Sequence, residues 1–312
     1  MNHGVINVLK PPGMTSHDVV GFVRRVAGTK RVGHTGTLDP AAAGVLPICI
    51  GQATRLVEYL QAGTKEYIAE ATFGYETDTL DAEGQEVSRG DSSAVTVETL
   101  RQALDPLRGE IEQTPPLYSA IKQDGKKLYE LARAGVEDVE IPTRRVTISR
   151  LLPTHFVRGD ADTLPRALLH IECSGGTYIR SLVRDAGRNL GCGATMTFLV
   201  RTRSGAFRLQ EAHTLEQIEN AWQSTLIPIT TVLDWCAHEL IVDDEAIERF
   251  AKGQFVPAPP QQEEVEHVQE NAASQLRVYW NRSQTVVAIV APHETKPELL
   301  KPEKVFFLND KD

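Results

Sequence analysis

The segment 29–40 constrains this chain most, because it follows neither the 3.6-residue period of a helix nor the alternation of a strand. Three small or flexible positions, Gly33, Gly36 and Thr37, add to its irregularity. It is expected to be a loop held between regular elements, the setting in which a rigid scaffold presents reactive groups to a ligand. At its centre runs Gly33-His34-Thr35-Gly36-Thr37-Leu38-Asp39-Pro40. An Asp-Pro in a loop most often serves the turn itself, so Asp39 needs independent support before it carries chemistry. The glycines suggest a phosphate cradle, but the G-x-x-x-x-G-K-[ST] order is missing and nucleotide binding is discounted.

The flanking sequence reads as regular structure. Residues 5–9 predict a strand, stopped at Lys10-Pro11-Pro12-Gly13 because proline has no N–H for a ladder. A helix is expected next, with Ser16 as N-cap, an inward stripe of Val19, Phe22, Val23 and Val26, and Gly28 as C-cap. Residues 52–62 return to helical spacing, and Tyr67, Ala69, Ala71 and Phe73 alternate as a half-buried strand. Thr96 predicts the cap of a helix carrying Val97, Leu100 and Leu104. Leu169, Ile171 and Cys173 alternate into Gly175-Gly176, and a helix follows with Ile179, Leu182, Val183, Ala186 and Leu190 inward and Gly191 closing it. Arg180, Arg184 and Arg188 recur every four residues and share one face of that helix.

After residue 243 the composition shifts, with Pro257, Pro259, Pro260 and the run 261–269 resembling a linker, and strands expected at 276–280 and 286–290. A chain of 312 residues has room for one large and one small domain. The division is placed at 1–243 and 244–312.

The net charge of −9 argues at first against a nucleic-acid partner, but a phosphate backbone responds to local field. By segment the charge is +3 over 1–67, −8 over 68–119, +6 over 120–210 and −10 over 211–312. Two basic blocks therefore sit among acidic ones. Cys49, Cys173, Cys192 and Cys236 lie far apart without a Cys-x-x-Cys pair, and the nine histidines show no ligand spacing, so neither disulfides nor a metal is expected. The apolar stretch 41–50 is too short to span a bilayer, and the N-terminus lacks the pattern of a signal peptide. A cytoplasmic location without membrane contact is expected.

Family resemblance changes the standing of Asp39. Gly33 to Pro47 reads GHTGTLDPxAxGVLP, which resembles the catalytic motif of the TruB family of tRNA pseudouridine synthases. Further segments in family order resemble it too: Lys10 to Ser16, Lys65-Glu66-Tyr67, Thr77-Asp78-Thr79 with Asp81, Glu83 and Gly84, Pro115 to Ala120, a stretch with Gly125, Leu128, Tyr129, Ala132, Arg133 and Gly135, Gly175 to Ser181, and Leu199 to Gly205. The resemblance implies an α+β chain: a pseudouridine synthase fold with a mixed, largely antiparallel sheet flanked by helices, an RNA-gripping insertion at about 120–148, and a small C-terminal PUA-like β domain. It also implies isomerisation of uridine 55 in the tRNA T-loop, without cofactor, by a monomer.

The resemblance assigns roles residue by residue. Asp39 is the implied nucleophile, Arg180 its partner, and Tyr67 the ring that stacks on the extruded base and assists a late proton transfer. Tyr178 and Leu199 support the base, His34 fills the space it vacates, and Lys10 belongs to the RNA-contacting set. Lys122, Lys126, Lys127 and Arg133, with Arg144 and Arg145, are the implied phosphate grip. The acidic turn at Asp78, Asp81 and Glu83 lacks the order of a calcium loop and reads as structural. The net charge of −10 in the tail counts against phosphate binding there. Two rivals remain: a non-catalytic RNA-binding or tRNA-folding protein, and a carboxylate-dependent hydrolase. The first needs no nucleophile, and the second shows no evident partner carboxylate.

Overall fold

The computed structural model describes residues 3–119, 122–123, 126–127, 141–233, 238–257, 276–280 and 286–306. In chain order the large sheet and its companions are β1 (Gly4–Lys10), β2 (Val32–His34), β3 (Ala43–Ile50), β4 (Lys65–Phe73), β5 (Tyr75–Thr77), β6 (Glu86–Arg89), β7 (Gly109–Gln113), β8 (Lys122–Gln123), β9 (Lys126–Lys127), β10 (Arg144–Val157), β11 (Arg166–Cys173), β12 (Ala194–Ser204), β13 (Phe207–Arg208) and β14 (Leu226–Pro228). Its main path runs β14-β1-β3-β12-β4-β11-β10-β7. Every pairing on that path is antiparallel except β3 with β12, which is parallel. The sheet is mixed and largely antiparallel, as expected.

Helices α1 (Ser16–Ala27), α2 (Val57–Ala62), α3 (Val97–Leu104) and α4 (Ile179–Asn189) accompany it. Val19, Val20 and Val23 of α1, Leu100 and Leu104 of α3, and Ile179, Leu182, Val183 and Ala186 of α4 share one core with Ile6, Leu46, Tyr67, Ala69 and Ile171 of the sheet. At the β1/β3 end the other sheet face is covered too. Val5, Val45 and Cys49 point into a second cluster with Ala53, Leu56, Ile229 and Val232. Strands buried on both faces read as continuous apolar runs, which is why 41–50 carries no alternation.

Three local expectations need correction. The N-cap of α1 is Thr15, whose side chain forms a capping box with Asp18, and Ser16 is the first helical residue. Part of the expected loop 29–40 is the strand β2, paired along β3; three residues around a glycine are too few to show a period. Arg144 and Arg145 open β10, opposite Gln113 and Glu112 of β7, so they belong to the main sheet and not to the insertion.

A second sheet of five strands comprises β15 (His238–Val242), β16 (Val256–Pro257), β17 (Leu276–Trp280), β18 (Val286–His293) and β19 (Lys296–Val305), in the order β15-β17-β18-β19-β16. Its first strand lies before the expected boundary at 243/244. Ile289 and Phe306 of this unit are buried in the second cluster of the large domain. Lys304 pairs with Glu58 at 2.6 Å, and Tyr59 donates to Glu303 at 3.1 Å.

Candidate active site

The loop between β2 and β3 is fastened at nearly every residue. Ser16 Oγ accepts the Leu38 N–H at 2.8 Å and donates to the Leu38 carbonyl at 3.1 Å, tying the residue before Asp39 to the first turn of α1. The Lys10 ammonium donates to the carbonyls of Pro11, Pro40 and Ala42 at 2.9, 3.0 and 2.6 Å. Gly13 N–H donates to the Pro40 carbonyl as well. Lys10 is fully buried, and desolvation lowers its pKa to about 8, with Asp39 opposing the shift. The expected RNA contact by Lys10 is therefore corrected: its three donors are spent on backbone carbonyls beneath the loop, and the side chain does not reach a ligand surface.

Arg180 comes from the first turn of α4. Gln113 at the end of β7, itself fully buried, accepts the Tyr178 N–H at 2.8 Å and donates to the Tyr178 carbonyl at 3.1 Å. The helix start is thereby docked without a side-chain cap of its own. From there Arg180 grips Asp39 in a two-pronged pair, Nε to Oδ2 at 3.0 Å and Nη2 to Oδ1 at 3.1 Å. Its remaining donors go to the Thr79 carbonyl at 2.9 Å, the Tyr118 carbonyl at 3.1 Å and Asp81 Oδ2 at 3.4 Å. Three of its N–H groups make hydrogen bonds, and Nε and Nη1 stand in ion-pair contact with Asp39 and Asp81. Such a fork fixes the carboxylate in direction as well as charge.

The acidic turn does more than the sequence suggested. Asp81 Oδ1 accepts Thr79 Oγ1–H at 2.6 Å and the Glu83 N–H at 3.1 Å, which leaves Oδ2 for Arg180. Between the two contacting residues, Leu80 stands at φ 64°, a left-handed conformation that costs a residue with a Cβ about 1–3 kcal/mol. Asp81, expected to be only a structural turn residue, is a second carboxylate at the site. With Oδ1 accepting two hydrogen bonds and Oδ2 beside Nη1 of Arg180, it supports Arg180.

Burial raises the Asp39 carboxyl above its ordinary range and Asp81 adds to the effect, while Arg180 and Lys10 oppose it. The Asp39 side chain keeps 33% of its surface open, toward a cavity of about 920 Å³. His34, Tyr67, Tyr178, Arg180 and Leu199 line the same cavity, so the structure brings together with Asp39 the residues expected around the base. Burial raises the Tyr67 phenol and Arg201 draws it down. Burial and Arg201 lower His34, whose Nδ1 accepts the Gly36 N–H, leaving the proton on Nε2. Arg144 stands in the cavity wall with its guanidinium 5.4 Å from the Tyr178 ring centre.

Arg201 and Lys65, which lie in family-like segments but carried no expected role, also line the cavity. Lys65 donates to the carbonyls of Leu60, Gln61 and Gly63, closing the end of α2, and burial lowers it to about 8. Of the expected grip, Lys122, Lys126 and Lys127 are described in backbone only, as the paired strands β8 and β9. Arg133 lies outside the described residues. Arg145 is exposed and faces Glu110 and Glu112 at 3.6 and 3.9 Å. Among the described residues no cluster suited to a metal ion occurs, and no helix is long and apolar enough to cross a membrane.

Comparison with known proteins decides the family. The N-terminal domain of the TruB family pseudouridylate synthases matches residues 24–179, and the C-terminal domain of tRNA pseudouridylate synthase B matches 180–234. The chain belongs to the TruB family. Among curated relatives, tRNA pseudouridine synthase B of Listeria welshimeri is 41% identical over 99% of both chains. The protein of that name from Caldanaerobacter subterraneus subsp. tengcongensis is 47% identical over 81% of this chain and 86% of its own. A chain in the crystal structure of a Cbf5-Nop10-Gar1 complex superposes with a TM-score of 0.69 at 26% identity, covering 97% of this chain and 85% of that one. The α+β fold of this TruB member is thus the pseudouridine synthase fold.

Proposed function

We propose that this TruB member isomerises uridine 55 in the T-loop of tRNA to pseudouridine, with Asp39 as nucleophile toward an extruded base and without a cofactor. The observation that carries the reading is the Asp39 carboxylate, held by both prongs of Arg180 and open to a cavity lined by Tyr67 and Leu199. The reaction breaks the N1–C1′ bond, turns the ring and forms C5–C1′, so a proton leaves C5 and one arrives at N1. A nucleophile must hold one fragment meanwhile, and a carboxylate already aimed by a fork meets that need with little reorganisation.

Extruding a stacked base costs a few kcal/mol. Tyr67, Leu199 and Tyr178 provide apolar and aromatic surface to recover part of that cost, and His34, lining the same cavity, fills the vacated space. Lys122, Lys126, Lys127 and Arg133 grip phosphate, and the sheet that begins at β15 forms a PUA-like unit distinct from the catalytic domain. The protein works as a cytoplasmic monomer.

The test is to incubate the full chain with one unmodified tRNA transcript and map pseudouridine. Modification at T-loop position 55 is the expected result. Modification elsewhere overturns the position, and an unmodified transcript overturns the activity.

A further inference from the structure

Arg201 is the bulkiest fully buried side chain of the described residues, and it stands at the cavity with no acidic partner. Nε donates to the Val45 carbonyl at 2.7 Å and Nη2 to the Gly36 carbonyl at 3.1 Å, and none of the ion pairs among the described residues includes it. A buried guanidinium held by neutral acceptors has no opposite charge beside it to offset its desolvation. Replacing it with an apolar chain would remove that desolvation penalty, so structure alone is a weak reason for keeping it.

Its position supplies a stronger one. Arg201 on β12 lies directly opposite Tyr67 on β4, where side chains on the same face meet. The same guanidinium holds the carbonyl of Gly36, three residues before Asp39 on the same loop. Gly44 makes the approach possible: at φ 111°, a Cβ there would stand 2.2 Å from the Arg201 carbonyl oxygen. One side chain thus joins the Asp39 loop, β3 and the strand that carries Tyr67.

We propose that Arg201 is a positioning residue acting through Tyr67: it fixes the phenol against the Asp39 loop and stabilises negative charge on the phenol oxygen during proton transfer. The inference rests on the pseudouridine synthase reading above. In that reaction the Tyr67 hydroxyl gives its proton to N1, and the phenolate recovers one from C5, so Tyr67 ends unchanged. The phenolate would otherwise be buried without a counter-charge. Among the described residues, the cation that both bonds the loop and faces that ring across the strand pair is Arg201.

The experiment uses the full chain and single-turnover kinetics at saturating enzyme, with tRNA affinity and melting temperature measured alongside. Arg201→Met keeps the side-chain stem and removes the charge. It should slow conversion by about thirtyfold or more while tRNA affinity stays within about threefold. Arg201→Ala opens a space that guanidinium at low millimolar concentration should fill, restoring the rate about tenfold; urea, of the same shape but neutral, should not. A folded Arg201→Met within about threefold of wild type overturns the proposal, as does a loss of affinity equal to the loss of rate. So does equal recovery with urea, or none with either additive in folded Arg201→Ala. If Arg201→Ala does not fold, Arg201→Lys must exceed Arg201→Met by about tenfold, and equal rates overturn the claim. Wild-type enzyme on the same transcript separates these outcomes from failure of the activity itself.

Discussion

The charge on Asp39 is set by neighbours pulling in opposite directions. Burial and Asp81 disfavour the carboxylate, and Arg180 and Lys10 favour it, with the balance above the ordinary value. A raised value means that the folded enzyme binds this proton more tightly than the unfolded chain does. That contribution to stability is complete below the unfolded pKa and is lost as pH rises through the folded one. For catalysis, the ionised fraction falls as pH drops through the raised value, so the acid limb of the single-turnover rate should lie above that of a free aspartate. Asp81→Asn removes the like charge and should move the limb to lower pH; an unmoved limb in a folded variant contradicts this electrostatic account. Lys10 runs the other way. With its pKa lowered to about 8, the unfolded chain binds more protons between about 8 and 10.5, and stability gains up to about 1.4 kcal/mol per pH unit there. Lys10→Met should lack that rise, which urea unfolding at pH 7.5 and about 9.5 would show. At this scale the sequence pointed to Asp39, Tyr67 and Arg180 through their motifs. It misplaced Lys10 because a lysine in a string of letters carries no sign of three carbonyls closing over it, and it missed Arg201 because its partners Val45, Gly36 and Tyr67 are more than 130 positions away.

Among the elements, those with a clear period were legible and those defined by partners were not. Helix α4 was visible from Ile179, Leu182, Val183 and Ala186, and β4 from the alternation of Tyr67, Ala69 and Ala71. The three-residue β2 exists because β3 offers it a ladder, and of the helix expected over 52–62 the first half, Gly51–Leu56, is 3-10 rather than α. The parallel contact of β3 with β12 joins segments about 150 residues apart, and no local pattern announces it. Gly44 is its weak point. Gly44→Ala would set a Cβ 2.2 Å from the Arg201 carbonyl oxygen on a backbone at φ 111°, so β12 would have to move. A stability loss of about 2 kcal/mol or more is expected, with conversion slowed because Arg201 and Leu199 shift together. A variant with unchanged melting temperature would show that the strands accommodate the methyl group without cost.

The whole molecule is held together in a way that charge and composition did not suggest. The acidic tail reads as an independent unit, yet Phe306 and Ile289 are buried against Ala53, Leu56 and Val232 of the large domain. Phe306→Ala should cost about 3 kcal/mol, read by urea unfolding, if that contact is as close-packed as an ordinary core. Removing residues 238–312 should lower the melting temperature and weaken tRNA binding while single-turnover chemistry persists, because every residue lining the cavity precedes 202. A folded truncation without chemistry would show that the tail completes the site. Affinity for a T-arm stem-loop should fall with rising salt despite the net charge of −9, because the blocks at 1–67 and 120–210 are positive. An affinity independent of salt would contradict phosphate binding by those blocks.

The central claim is that Asp39 is the nucleophile rather than a turn residue, and Asp39→Asn separates the two. Asparagine favours the same local turn hydrogen bonds as aspartate, so a purely structural Asp39 would tolerate it well. As a nucleophile, Asp39 cannot be replaced by an amide. The measurement is pseudouridine formed in a single turnover at saturating Asp39→Asn enzyme, with tRNA affinity determined in parallel. The account predicts affinity within about threefold of wild type and no pseudouridine, since the loss falls on the chemical step alone. Formation within about tenfold of the wild-type rate, a barrier change of only about 1.4 kcal/mol, would contradict it.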